Sequence, residues 1–360
     1  MVRLTAALGA LLALLVASTA PAATVLPVMT GLDNPRGLDF GPDGALYVAE
    51  SGRGGPGPPC RFHRGATQCF GATGAISRLR DGAQEKWLTG LPSFAFAAGF
   101  DAAGPQDVAF QYDRIPFFGR SDAHVTIGLG EDATARATYG SAAILMGRLL
   151  RISPSRTITE VADITSFDSA ANPDGGPTDS NPFGVLPLTR WQLVVDAGGN
   201  TLYRVAGGHV SPTAVFAPPR ANPTPIGPPV IESVPTAVVA GPDGALYVSE
   251  LTGVPFPTGF ARIFRVNLDG STSVVATGLT AVVDLAFGDD GALYALQHAS
   301  CGPFFACPGS IVRVHAGPPH PVVAGGFIRP GGMTVGPDDA FYVSQRSLDA
   351  GIGEVLRVVP

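Results

Sequence analysis

The chain has 360 residues, carries a formal net charge of −6, and only 14% of its residues are charged. Its 47 glycines and 34 prolines suit many short strands joined by tight turns and exclude a helical bundle. With a negative balance and no basic cluster, a nucleic-acid-binding surface is excluded as well.

The N-terminus reads as a secretory signal over residues 1–22. Arg3 gives the positive start, Leu4–Ala17 is apolar, and Ala20-Pro21-Ala22 offers the small residues a signal peptidase needs. The apolar run is shorter than the roughly 20 residues that cross a bilayer. The expectation is a secreted or periplasmic protein with no membrane span after cleavage, residues 23–360 forming one domain.

Thr24–Thr30 follows as a strand candidate, and then a unit that recurs. It reads GLDFGPDGALYVAE at Gly37–Glu50, VVAGPDGALYVSE at Val238–Glu250, DLAFGDDGALYALQ at Asp284–Gln297 and GMTVGPDDAFYVSQ at Gly332–Gln345. Pro sets φ at the second turn position and Gly closes the turn, so each unit is a β-hairpin. A second repeat, apolar-x-Arg-apolar, occurs six times around Arg78, Arg151, Arg204, Arg265, Arg313 and Arg357. Each copy predicts a third strand, and a turn such as Leu268–Ser271 leads to a fourth, Thr272–Thr277. Two blades diverge. One uses Asp107–Gln111 and His124–Leu129, the other Phe183–Leu186, Trp191–Asp196 and Asn200–Val205. Repetition at this period predicts an all-β, six-bladed β-propeller with four antiparallel strands per blade. The last blade stops at its third strand, Glu354–Val359, so Thr24–Thr30 is expected to complete it. The only helix candidate is Thr134–Met146.

Export makes the four cysteines legible. Cys60–Cys69 and Cys301–Cys307 each close their own loop as local disulfides. A zinc set of Cys60, His63 and Cys69 lacks a fourth ligand and the usual spacing. Lys86, the only lysine, sits beside Trp87 in a repeat strand and is set aside as a Schiff-base former.

Several loops resemble the scytonemin-biosynthesis D/E family of exported proteins, which is related to the NHL-repeat propellers. The residues that carry the likeness include Asn34-Pro35-Arg36-Gly37, Gly104-Pro105-Gln106-Asp107-Val108 and Asn172-Pro173-Asp174-Gly175-Gly176. They continue at Asp179-Ser180-Asn181-Pro182-Phe183-Gly184, Asp196-Ala197-Gly198-Gly199-Asn200 and Leu251–Pro257. The resemblance covers nearly the whole mature chain and implies a secreted propeller. It brings no catalytic mechanism with it.

In a propeller the short turns after first and third strands share one face. The long loops share the other, among them Ser51–Thr73, Phe167–Asn181, Ala217–Pro235 and Ala299–Pro308. Long loops on a rigid scaffold are where binding concentrates. Arg36, Asp107, Asn181, Thr236 and Asp284 begin their blades and should converge on the axis. With Asp179 and Glu250, the set Arg36, Asp107, Asp179, Asn181, Glu250 and Asp284 is the candidate ligand site. Its negative sign points to a cation or basic group. Asn172, Asp174, Asp179 and Asn181 offer oxygens of the kind calcium takes, although Asx turns account for the same residues; no cofactor is firmly implied. Glu50, Glu250, Gln297, His298 and Gln345 end second strands, and their repetition suggests a structural device. No nucleophile, zinc-protease or phosphate-loop motif occurs. The function expected is a ligand- or protein-binding scaffold with its small-molecule or protein partner on the long-loop face. The alternative is a calcium-type lactonase, hydrolase or lyase working at the channel mouth.

Overall fold

The structure is a computed structural model that describes residues 23–63, 65–111, 122–216, 218–267 and 269–360. The proposed signal and Leu268 of the predicted turn lie outside the described residues. Six four-stranded antiparallel sheets succeed one another around an axis. Blade 1 is Pro35–Phe40, Leu46–Glu50, Ala66–Arg80 and Ala83–Ala95; blade 2 is Pro105–Phe110, Ala123–Ile127, Arg148–Ile152 and Ile158–Asp163. Blade 3 is Pro182–Pro187, Gln192–Asp196, Thr201–Ala206 and His209–Val215; blade 4 is Pro235–Ala240, Leu246–Glu250, Ala261–Val266 and Thr272–Leu279. Blade 5 is Val282–Phe287, Leu293–Gln297, Gly309–Arg313 and Val322–Phe327. Blade 6 takes Gly332–Val335, Phe341–Gln345 and Gly353–Val359 from the C-terminus and Thr24–Leu32 from the N-terminus. Thr24 pairs with Val359 and Pro27 with Leu356, so the last blade closes as the sequence predicts, with no unpaired third strand.

The repeated hairpin is built by two side chains acting on one carboxylate. In Gly41-Pro42-Asp43-Gly44, Gly41 N–H donates to Ala45 O at 2.8 Å and Gly44 adopts φ 74°. Asp43 then receives the Tyr47 hydroxyl at 3.2 Å and lies 3.5 Å from the Arg78 guanidinium. The unit recurs with Arg265–Asp243 at 2.9 Å, Arg313–Asp290 at 3.1 Å and Arg357–Asp338 at 2.6 Å. Arg151 reaches Asp122 at 3.6 Å, while Arg204, in a blade without that aspartate, stacks 4.7 Å from the Trp191 ring. The six repeated arginines therefore brace the hairpins from the third strand. The tyrosine ring lies over the first glycine of the turn: a Cβ at Gly41, Gly241, Gly288 or Gly336 would come within 2.4–2.8 Å of it.

Second strands are sandwiched between neighbouring blades, and two of the six are buried at every position. The Leu246–Glu250 and Leu293–Gln297 strands each leave their tyrosine half-buried; the strands fully enclosed are Leu46–Glu50 and Ala123–Ile127. The apolar core divides into six clusters, one at each blade–blade interface. The repeat tyrosine carries part of this contact. Tyr47 meets Phe110 at 4.8 Å, Tyr247 meets Phe287 at 5.3 Å, Tyr294 meets Phe341 at 4.9 Å, and Tyr342 meets Phe40 at 5.0 Å across the closing seam.

Both predicted disulfides are present. Cys60 and Cys69 face each other across a short hairpin in which Cys60–His63 pairs with an extended third strand. Both thiols are used there, which removes the zinc alternative. The segment 134–146 is two short pieces, a helix at Ala133–Thr138 and a 3-10 turn at Ser141–Ala143. A further helix, Ile164–Ala171, fills part of what the sequence suggests is loop. Asp163 caps its start by accepting from Ser166 N–H at 3.0 Å, and Asn172 ends it in the left-handed region. At about two turns it is too short to show a periodic apolar face.

Met29 and Leu32 of the N-terminal strand are 1% and 0% exposed. Met29→Ala should therefore cost about 2–5 kcal/mol, read as a lower denaturant midpoint; an unchanged midpoint would show that the closing strand adds nothing to the ring.

Candidate functional site

The innermost strand of each blade turns one edge toward the axis, where no further strand can satisfy its backbone. Three aspartates answer this at three junctions. Asp39 accepts from Phe40 N–H at 2.8 Å and from Phe110 N–H of blade 2 at 2.9 Å. Asp107 accepts from Val108 at 2.8 Å and Val185 of blade 3 at 2.9 Å. Asp284 accepts from Leu285 at 2.8 Å and Met333 of blade 6 at 2.7 Å. Gly37 leaves room for one of them: a Cβ there would lie 2.0 Å from Asp107 Oδ1. Asp107 and Asp284 line an axial cavity of about 30 Å³ with Gln106, Gly184 and Thr236, room for a water or two. Enclosure pushes Asp39 and Asp284 up to about 7. Asp107 is raised well above the ordinary carboxylate range, first by burial and then by Asp284.

Hydroxyls complete the ring. Ser51 Oγ donates to Pro105 O at 2.7 Å, Thr236 Oγ1 to Val282 O at 3.0 Å, and Ser344 Oγ to Arg36 O at 2.7 Å. His298 takes the position of Ser51 in blade 5, with Nδ1 2.8 Å from Pro330 O. That carbonyl can only accept, so Nδ1 carries the proton and Nε2 is the acceptor nitrogen. Nε2 makes no hydrogen bond among the described residues. Burial drives His298 down to about 4, helped by the nearby Arg36 and Arg329 guanidiniums. Its ring lies 4.5 Å from Phe305, which stacks on Phe256 at 4.1 Å. Arg36, buried, donates to Ser51 Oγ at 3.3 Å and Ala102 O at 3.1 Å, and sits 3.7 Å from Asp101. Arg329 pairs with Asp349 and lies 6.0 Å from the Phe100 ring. Arg36, His298 and Arg329 thus gather around the long-loop end of the channel.

Of the sequence-derived set, Arg36 stands in this group and Asp107 and Asp284 lie deeper on the axis. Asn181 belongs to the junction of blades 2 and 3, its Oδ1 accepting from Leu129 N–H at 3.1 Å. Asp179 lies near Glu232, whose carboxyl is raised first by burial and then by Asp179. Glu250 is fully buried and held by Arg262, Arg220 and Ser233 at 2.7–2.8 Å. The other second-strand ends act alike: Glu50 takes Asp33 N–H at 2.7 Å with Ser77 and Lys86, Gln297 takes Thr280 N–H at 2.7 Å, and Gln345 takes Ile328 N–H at 3.0 Å. Their repetition is structural: each pins the connection entering its own blade. Asp39 was not in the sequence-derived set, although a carboxylate inside the apolar Leu38-Asp39-Phe40 was its signal. Arg329 and Asp101 had none, since only folding brings those loops to the axis.

Among the described residues, no group of three or more His, Cys, Asp or Glu side chains is disposed to hold a metal ion. The axial carboxylates each give both oxygens to backbone N–H groups in a narrow cavity, which does not fit a calcium cage of six to eight oxygens. A larger cavity, about 210 Å³, opens on the opposite, short-turn face between blades 2 and 3, lined by Gln111, Asp122, His124, Arg151 and Arg190. No helix among the described residues is long and apolar enough to cross a membrane.

No family model and no curated protein matches the chain. Solved structures do. A soluble aldose sugar dehydrogenase from Escherichia coli is 15% identical, covering 94% of this chain and 100% of that one with TM-score 0.53. Regucalcin from Agrobacterium tumefaciens, a calcium-binding protein, is 13% identical over 92% and 94% with TM-score 0.52. A Bacteroides thetaiotaomicron protein of unknown function is 8% identical over 94% and 76% with TM-score 0.53. These likenesses establish the propeller fold.

The titrations run in opposite senses. His298 is depressed in the folded state, so its contribution is full above pH 6.5 and is lost as pH falls toward 4. His298→Gln keeps a donor for Pro330 O and should gain roughly 3 kcal/mol on wild type between pH 7 and 4. Asp284 is raised, so its contribution is full below 3.8 and is lost as pH rises through about 7. Asp284→Asn should accordingly improve relative to wild type from pH 4 to 8. Denaturant midpoints across pH check both; differences that do not move with pH would contradict these environments.

Proposed function

We propose that the protein is an exported ligand-binding β-propeller of the scytonemin-biosynthesis D/E kind, using the long-loop mouth of its axial channel. The observation that carries this reading is His298. A buried neutral imidazole with its acceptor nitrogen unbonded among the described residues, near two guanidiniums and beside an aromatic stack, is ready to receive a donor group from a small organic molecule. Arg36 and Arg329 suit an acidic or strongly polar acceptor on the same molecule, and Phe305 and Phe256 supply apolar contact. A small-molecule site of a few convergent polar groups against an apolar wall has this composition.

The arginines change the expected guest. The carboxylates deeper on the axis are pushed toward the neutral form, so an anionic or polar organic ligand is favoured over a cation at the mouth. A metal-dependent hydrolase or lyase would need carboxylate oxygens from several blades available to the metal. Asp39, Asp107 and Asp284 instead accept backbone N–H groups from adjacent blades, which supports binding over metal catalysis.

A thermal-shift screen of small organic acids and polar aromatics against the purified protein tests the proposal. Compounds that raise the wild-type midpoint should lose at least tenfold in affinity in His298→Ala and Arg329→Ala. They should keep it in Arg190→Ala, which alters only the opposite cleft. Hits that survive both mouth substitutions, or fail only in Arg190→Ala, would overturn the assignment.

A further inference from the structure

The helix Ile164–Ala171 and the turn after it collect acidic groups that no part of the preceding site uses. Asp168 is 0% exposed, and its Oδ1 receives the Tyr203 hydroxyl at 2.7 Å. Its Oδ2 is buried with no partner, and so is Oδ1 of Asn172, four residues on. Asn172 ends the helix in the left-handed region and turns its amide N–H group onto Gly176 O at 3.0 Å, which leaves its carbonyl oxygen buried without a partner. Asp174 approaches from the same turn, accepting from Gly176 N–H at 3.0 Å and Asn200 Nδ2 at 2.9 Å. On the other side, Asp196 is 0% exposed and holds the turn Gly198–Gly199 at 3.1 Å. A Cβ on Gly199 would meet Asp168 Oδ1 at 2.4 Å and Oδ2 at 3.5 Å, so this turn lies against the Asp168 carboxyl.

Among the described residues, Asp168, Asp174, Asp196 and Glu232 form no salt bridge; every arginine close to this helix that is paired, Arg136 and Arg148, is paired to Asp163 or Glu160. A buried carboxylate oxygen without donor or cation is among the costliest groups a fold can carry. Burial and the neighbouring carboxylates raise Asp168 to about 6, and Asp196 and Glu232 are raised as well. Two buried oxygens without a partner, one from a carboxylate and one from an amide, beside a second carboxylate are what a hard divalent cation takes, with water completing its shell. The donors are all oxygen, which selects calcium or magnesium over zinc or copper.

We infer that this turn of blade 3 binds a hard divalent cation, calcium first, through Asp168 Oδ2, Asn172 Oδ1 and the Asp174 carboxylate. The cation ties the helix to the blade hairpin and neutralises a charge cluster that nothing else offsets. The site draws on two carboxylates and an amide, shares no residue with the channel mouth, and stands whether or not the ligand proposal does.

The test uses full-length purified protein stripped with EGTA. Added calcium should raise the melting midpoint by several degrees through preferential binding to the folded state. Terbium should show luminescence sensitised by Tyr203, whose hydroxyl touches Asp168. Asp168→Asn and Asp174→Asn should each weaken calcium at least tenfold, and Asn172→Ala serves if Asp168→Asn does not fold. Tyr203→Phe should keep the calcium shift and lose the terbium signal. Asp107→Asn with Asp284→Asn should leave both intact. A calcium shift that persists in the blade 3 variants and vanishes in the axial pair would place the cation on the axis and overturn the inference. No response to calcium, magnesium or terbium would overturn it too, leaving water at the unpartnered oxygens. Loss of ligand binding at the mouth with the calcium response intact would bear only on the other proposal.

Discussion

Everything in this ring depends on how the inner edges of six sheets are satisfied where they meet. A sheet edge facing an axis cannot be continued by another strand, yet its N–H and C=O groups are as demanding as any other. Asp39, Asp107 and Asp284 solve this with one carboxylate for two blades, each accepting its own following N–H and the matching N–H next door. Ser51, Ser344 and His298 make the equivalent link from second-strand ends to neighbouring backbone, and Thr236 makes it from the first strand of blade 4. The axis is thereby knit by side chains in the role that strands play elsewhere. Most polar groups near it are consequently occupied.

Away from the axis the same economy of parts recurs. One turn aspartate receives a tyrosine hydroxyl and an arginine, and the tyrosine ring reaches the next blade. Where blade 3 lacks the aspartate, Trp191 takes the arginine by its face instead. The brace survives a change of chemistry because what matters is that the third strand be anchored to the first hairpin. These surface ion pairs are each worth little in water; their role is to fix the turn that positions the repeat tyrosine.

Against that background the groups with a capacity left over stand out. His298 makes the junction contact that a serine makes in blade 1, but an imidazole has a second nitrogen, and Arg36 and Arg329 are near enough to act on the charge of the ring. At the blade 3 helix, Asp168 and Asn172 likewise use one polar atom for the fold and leave another unpartnered. In both places a residue does more than its structural duty requires, and that surplus marks the sites.

The six arginine strands, the Gly-Pro-Asp-Gly hairpins and the closing of blade 6 by Thr24–Thr30 were legible in the sequence. They rest on local periodicity, turn chemistry and counting, which a chain carries without being folded. The disulfides were legible for the same reason, since each joins neighbours in one loop. The helix Ile164–Ala171 escaped because two turns are too few to display a period, even with Asp163 and Asn172 as caps. Among the candidate residues, sequence could say that Arg36, Asp107 and Asp284 begin their blades. It could not say that the two carboxylates would be taken up by backbone N–H groups of the next blade, or that Glu250 would be enclosed by Arg220 and Arg262. Nor could it bring Arg329 and Asp101 beside His298, residues that lie in connections of different blades. Strand order is written locally; which side-chain atoms remain unsatisfied is decided only when six distant segments converge on one axis and compete for the same donors.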